Sequence, residues 1–198
     1  MGNRGESIGW SERGVSIVEL AFILPILVVL VFGIVDMGRL IQARLVVTNV
    51  SREGGSLASR TDPDLDVRDQ IDKIVNMLLS SAAPLDLRNA DGNIYVTRIN
   101  AGENKDDPEP YISIRSTGGS LGANSSISGN EGSTPSGLPK KLYDHLRFQK
   151  ASEAADILNV TVVEVFYYYK PITPLPKLIK ELLLPNNDGI LIGSRSYF

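Results

Sequence analysis

A chain of 198 residues has room for a membrane anchor and one domain of moderate size, large enough to enclose a core but too short for a second full domain. A net charge of −3 and a pI near 5.2 supply no basic field, so no nucleic-acid partner is expected. The absence of cysteine excludes disulfide staples, thiol catalysis and Cys-ligated zinc together, and leaves the redox compartment open.

The first element is a membrane span over residues 15–36, because the apolar run there has roughly the 20 residues that cross a ~30 Å hydrocarbon layer as a helix. Pro25 removes one backbone bond inside it and is expected to kink the helix. The run is too long for a secretory signal peptide and no small-x-small cleavage site follows it, so the span stays attached. Charge leaves orientation undecided, since Arg4 and Arg13 on one side are matched by Arg39 and Arg44 on the other. Glu19 is the anomaly, since an ionised carboxylate in lipid costs on the order of 2.5–3.5 kcal/mol and so needs a partner or a task. A bland reading puts it at the end of the span, reaching headgroups near the positive end of the helix dipole. Ahead of it, Glu12-Arg13-Gly14 closes a short polar leader, residues 1–14.

Beyond the span, Leu40, Ala43, Val47, Val50, Gly54 and Leu57 recur at spacings of three and four, which predicts an amphipathic stem helix over residues 37–60. Its apolar stripe packs on the protein's own domain or on a bundle of neighbouring subunits, and Gly54-Gly55 reads as a hinge. Asp62-Pro63-Asp64 supplies a helix start, followed by an apolar face of Val67, Ile71, Ile74, Val75 and Leu78 that ends near residues 80–84. Strands are predicted at 93–99, 111–115, 160–169 and 190–198, the third central because it is apolar on both faces except at Glu164. The Gly- and Ser-rich stretch at about 116–139 reads as a flexible loop. Residues 140–158 read as a helix with Leu142, Leu146, Ala151 and Ala155 inward, and residues 175–184 as a short helix. The fold class is therefore α+β: a long N-terminal transmembrane helix, then a small antiparallel sheet with one or two packed helices in a domain over residues 61–198.

The catalytic inventory is poor. His145 stands alone in a charged helical setting, and no serine lies in a nucleophile-elbow pattern. Residues 104–109 gather acids without the alternation or glycine of a calcium loop, and read as a hydrated turn. Tyr167-Tyr168-Tyr169 reads as a strand with alternating rings rather than a sugar platform. No nucleotide loop or dinucleotide fingerprint is present, and no cofactor or metal is expected.

The segment Arg13-Gly14-Val15-Ser16-Ile17-Val18-Glu19-Leu20-Ala21-Phe22-Ile23-Leu24-Pro25, with Phe32-Gly33-Ile34-Val35-Asp36-Met37-Gly38-Arg39 and Thr48-Asn49-Val50-Ser51-Arg52-Glu53-Gly54, resembles the TadE-like group of tight-adherence pilus proteins. A weaker likeness lies in residues 162–169 and Lys170-Pro171-Ile172-Thr173-Pro174. The resemblance implies a non-enzymatic minor pilin or pseudopilin with a type IV pilin-like N-terminus. It implies a cut by a prepilin peptidase between Gly14 and Val15, and pairing of Glu19 with the new amine of Val15. It further implies a leader in the cytoplasm of a bacterial cell, a single pass through the inner membrane and its lipid, and an exoplasmic domain. Partners implied are other minor pilins, the major pilin and the inner-membrane assembly platform. The alternative is a permanently anchored binding or sensor module that keeps its leader.

Overall fold

The structure, a computed structural model, describes residues 9–60, 66–149, 154–173 and 189–198. Helix α1 runs unbroken over Gly9–Ala58, about 75 Å at 1.5 Å per residue, with Pro25 inside it. Helix α2 covers Val67–Ser81 and buries Ile71, Ile74, Val75 and Leu78. Strands β1 (Gly92–Asn100) and β2 (Tyr111–Gly119), the short helix α3 (Lys140–Leu146), then β3 (Asn159–Tyr169) and β4 (Ile190–Tyr197) complete the chain. The architecture is thus α+β, as the hydrophobic periodicities predict.

The strands form one antiparallel sheet in the order β2-β1-β3-β4. β3 is central, and two-sided burial explains its nearly continuous apolar sequence. On one face, Ile94 lies beside Val165 and Val96 beside Val163, and all four are fully buried. Helices α1 and α2 approach that face closely. A Cβ on Gly118 of β2 would meet Val75 and Leu79 of α2, and one on Gly54 of α1 would meet Leu78 and Val163. The opposite face carries Ile99, Ile112, Val160 and Val162, covered by Ile127, Leu146 and the partly buried Leu138 and Leu142.

Two compact units divide the chain. In the first, described through α1 up to Ile41 and through residues 171–173, the helix is lipid-like in composition and its apolar side chains are exposed. The second holds the rest of α1, α2, α3 and the sheet. The stem stripe packs on its own domain from Ala43 onward, where Ala43, Val47, Val50, Ser51, Gly54 and Gly55 are buried.

Several sequence expectations are corrected. Gly54-Gly55 is no hinge: the helix passes straight through, and the glycines serve close approach, since a Cβ on Gly55 would fall inside the Phe198 ring. Asp66, not Asp62, occupies the N-cap of α2 and makes no side-chain cap bond; residues 62–64 lie outside the described part. The helix expected at 140–158 stops at Leu146, because Arg147 turns extended and the chain is taken up in backbone bonds from Phe148 to Pro108 and from Ile157 to His145. Ala151 and residues 175–184, expected on helices, lie outside the described residues.

The 116–139 segment is tied down rather than loose. β2 extends through Gly119, and Ile127 is fully buried. Arg115 donates to the carbonyl oxygens of Ile127 at 2.7 Å and Gly129 at 3.0 Å. Glu131 accepts from the Arg115 backbone N–H and from Arg68. Long-range charged anchors substitute here for the apolar side chains that the local composition lacks, which a composition count does not register.

Candidate functional site

Site residues Gly14, Val15 and Glu19 all lie on α1, within about one and a half turns, on a helix whose apolar side chains are open. Helical hydrogen bonding carries straight across the Gly14-Val15 bond. A Cβ on Gly14 would meet nothing within 4 Å, so no internal packing requires a glycine there, although glycine costs a helix roughly 1 kcal/mol relative to alanine. Val15 is 57% exposed, and Glu19 is exposed and contacts no charged group among the described residues. Among the described residues, this carboxylate on an otherwise apolar surface has no charged partner.

The stretch Gly14–Ala58 contains a window of mean hydropathy 2.9, none of it buried, and it is the one helix among the described residues apolar and long enough to cross a membrane. A helix with apolar residues all round, left uncovered by the other described residues, fits a single-pass anchor.

Two acids that sequence reasoning did not single out as sites have partners. Asp36, at the C-terminal end of the apolar run, is 9% exposed and accepts from the backbone N–H of Ile172 at 3.2 Å and of Thr173 at 3.5 Å, and from the Thr173 hydroxyl. It therefore clasps the residues that follow β3 onto α1. Its signal in the sequence was a carboxylate closing an apolar run. Glu164, 1% exposed, sits under the 125–127 turn. It accepts from the hydroxyls of Ser125 and Ser126, from the Ser126 N–H at 3.2 Å and from Arg195 Nε at 2.9 Å. A lone acid inside the apolar β3 run gave the corresponding hint, but its partners come from two distant segments.

The remaining polar candidates do little. His145 Nδ1 lies 2.9 Å from Asp156 with its side chain 55% exposed. In the acidic turn, Asn104 Oδ1 accepts from the N–H groups of Asp106 and Asp107, a self-contained loop closure. Tyr169 is buried, while Tyr167 and Tyr168 are half-buried.

The sequence model of one family, described as TadE-like protein, matches residues 14–56. No curated protein and no solved structure matches the chain. The match begins at Gly14, takes in Glu19 and Asp36, and ends at Ser56, just past the Gly54-Gly55 pair. The match covers 43 of the 198 residues, and over that segment the chain is similar to the TadE-like family.

Proposed function

We propose that the chain is a minor pilin or pseudopilin that helps to start or prime a tight-adherence pilus and performs no catalysis. A prepilin peptidase cuts between Gly14 and Val15 on the cytoplasmic side. The helix then holds the subunit in the bacterial inner membrane with its domain on the outer side. Glu19 pairs with the amine of Val15, on its own or a neighbouring subunit, when the helix leaves lipid for an assembly of other minor pilins and the major pilin on the inner-membrane platform.

The observation that carries this reading is the exposed apolar helix with one unmatched acid five positions after a glycine that no packing contact requires. A carboxylate and an ammonium that are each costly in hydrocarbon offset one another when brought together. Intact-mass measurement on protein taken from its native membrane tests the cut. A mature chain starting at Val15, lost in Gly14→Leu, is the expected result; a retained leader overturns the reading in favour of a permanently anchored binding module. Glu19→Gln is expected to insert normally and to form few pili, and normal piliation would remove the pairing role.

A further inference from the structure

The first compact unit holds a second stretch of chain besides α1, and the described part of that stretch is Pro171, Ile172 and Thr173. These residues follow β3 and meet α1 at Asp36, the first charge after the uncharged run from Leu20 to Val35. The Asp36 carboxylate takes the Ile172 N–H at 3.2 Å, the Thr173 N–H at 3.5 Å and the Thr173 hydroxyl. An aspartate side chain reaches little beyond its own turn, so Ile172 lies within on the order of one helical turn, 5.4 Å, of Asp36 along α1. The segment is thereby held at the level where the apolar run ends.

Its backbone keeps no N–H for solvent. Pro171 has none, and those of Ile172 and Thr173 are both given to Asp36. Non-helical backbone is normally barred from an apolar layer because its N–H groups would go unbonded there, and in this segment that cost does not arise. The same donors surround the carboxylate, which is almost fully buried, so the acid that closes the run is itself screened from lipid. Ile172, by contrast, leaves its side chain 63% exposed, at the level of Val35 and Met37, whose side chains are open on α1. An uncovered isoleucine beside an uncovered apolar helix extends that helix's surface sideways.

We propose that residues 171–173 are a second membrane contact, a short interfacial strap that Asp36 fastens to the anchor, with Ile172 seated among the lipid chains just beneath the headgroups. The partner is the bilayer that holds α1. Continuity identifies it, because the strap and the end of the apolar run share one level, and the lipid that covers Val35 and Met37 there reaches Ile172 as well. At that depth an apolar side chain leaves water as it does from the buried face of a helix lying in the interface. A contact on one flank of the anchor fixes how far the helix can sink or rise. The inference rests on α1 being a membrane anchor and is independent of leader removal.

The test uses the full chain, which has no native cysteine, with one introduced cysteine carrying a bimane fluorophore. It is reconstituted in phosphatidylcholine vesicles with and without a lipid that bears a spin label near its headgroup. Quenching by that lipid at Ile172→Cys is expected to match Val35→Cys and to exceed Asn130→Cys, an exposed polar position, by at least ~3-fold. Adding Asp36→Ala unfastens the strap, and is expected to lower the Ile172→Cys signal to that of Asn130→Cys while Val35→Cys stays quenched. Quenching at Val35→Cys without quenching at Ile172→Cys overturns the proposal and leaves the anchor standing, whereas no quenching at either overturns both. Equal quenching at Ile172→Cys and Asn130→Cys, or an Ile172→Cys signal that Asp36→Ala does not change, also overturns the proposal. Should the Asp36→Ala variant fail to fold, the ratio between Ile172→Cys and Asn130→Cys decides alone.

Discussion

Glycines in the two halves of α1 meet opposite surroundings. At Gly14, Gly33 and Gly38 an added Cβ would find nothing within 4 Å, whereas at Gly54 it would lie 2.8 Å from both Leu78 and Val163, and at Gly55 1.7 Å from the Phe198 ring. One continuous helix thus changes its obligations along its length. Its C-terminal part is shaped by the sheet it rests on, whereas no described residue crowds it at Gly14, Gly33 and Gly38. Small residues without an internal reason, on a helix exposed all round, are a surface prepared for lipid or for other helices.

That contrast can be broken by substitution. The largest effect is expected inside the domain at Glu164. Its replacement by alanine leaves Arg195 and two serines facing an empty site, and should lower stability by about 3 kcal/mol, the low end for a broken buried pair because Arg195 is partly solvated. Thermal melts followed by near-UV circular dichroism in detergent measure this. Gly54→Val should come next, at about 1–3 kcal/mol, because its branches drive into Leu78 and Val163. By contrast, Gly38→Ala should leave the same melt within about 0.5 kcal/mol, with any defect confined to piliation. A domain melt lowered as much by Gly38→Ala as by Gly54→Val would erase the distinction between the halves.

The smallest effect sharpens the picture of the 116–139 segment. The Arg115 backbone N–H, and then the Arg68 guanidinium, hold the Glu131 carboxyl below its ordinary value of 4.5. A depressed native pKa means that the contribution is full above about pH 4.5 and fades as pH falls through the lower native value. The melting difference between the parent chain and Glu131→Gln should therefore be small at pH 7 and close as the solution is acidified toward pH 3. A difference that widens in acid would show that Glu131 does not stabilise through its charge.

Much of this was legible in the residues. The period of 3.6 in α2 and the alternation in β1 are local signals, and the four strands fall within a few residues of their expected bounds. The anchor was legible from its unbroken apolar length. What escaped the sequence depends on distant partners. Tertiary pairing stopped α3 at Leu146 by drawing the next residues into extended contacts. The Gly/Ser segment looked unconstrained because its anchors, Arg115 and Glu164, lie on β2 and β3. Asp36 was visible as a residue but not as a clasp, since Ile172 and Thr173 are more than a hundred positions away.

The continuity of α1 across the Gly14-Val15 bond sets a requirement on any enzyme that opens it. Peptidases attack a carbonyl presented in an extended strand, and a coiled backbone hides that carbonyl along the axis, engaged by an amide one turn ahead. The first turns must therefore unravel before scission. Glycine, the residue that least favours the coiled form after proline, stands where that unravelling has to reach. Stiffening the stretch with alanine at position 14 should accordingly slow the encounter even for an enzyme indifferent to the side chain itself, and the delay would grow as the temperature is lowered.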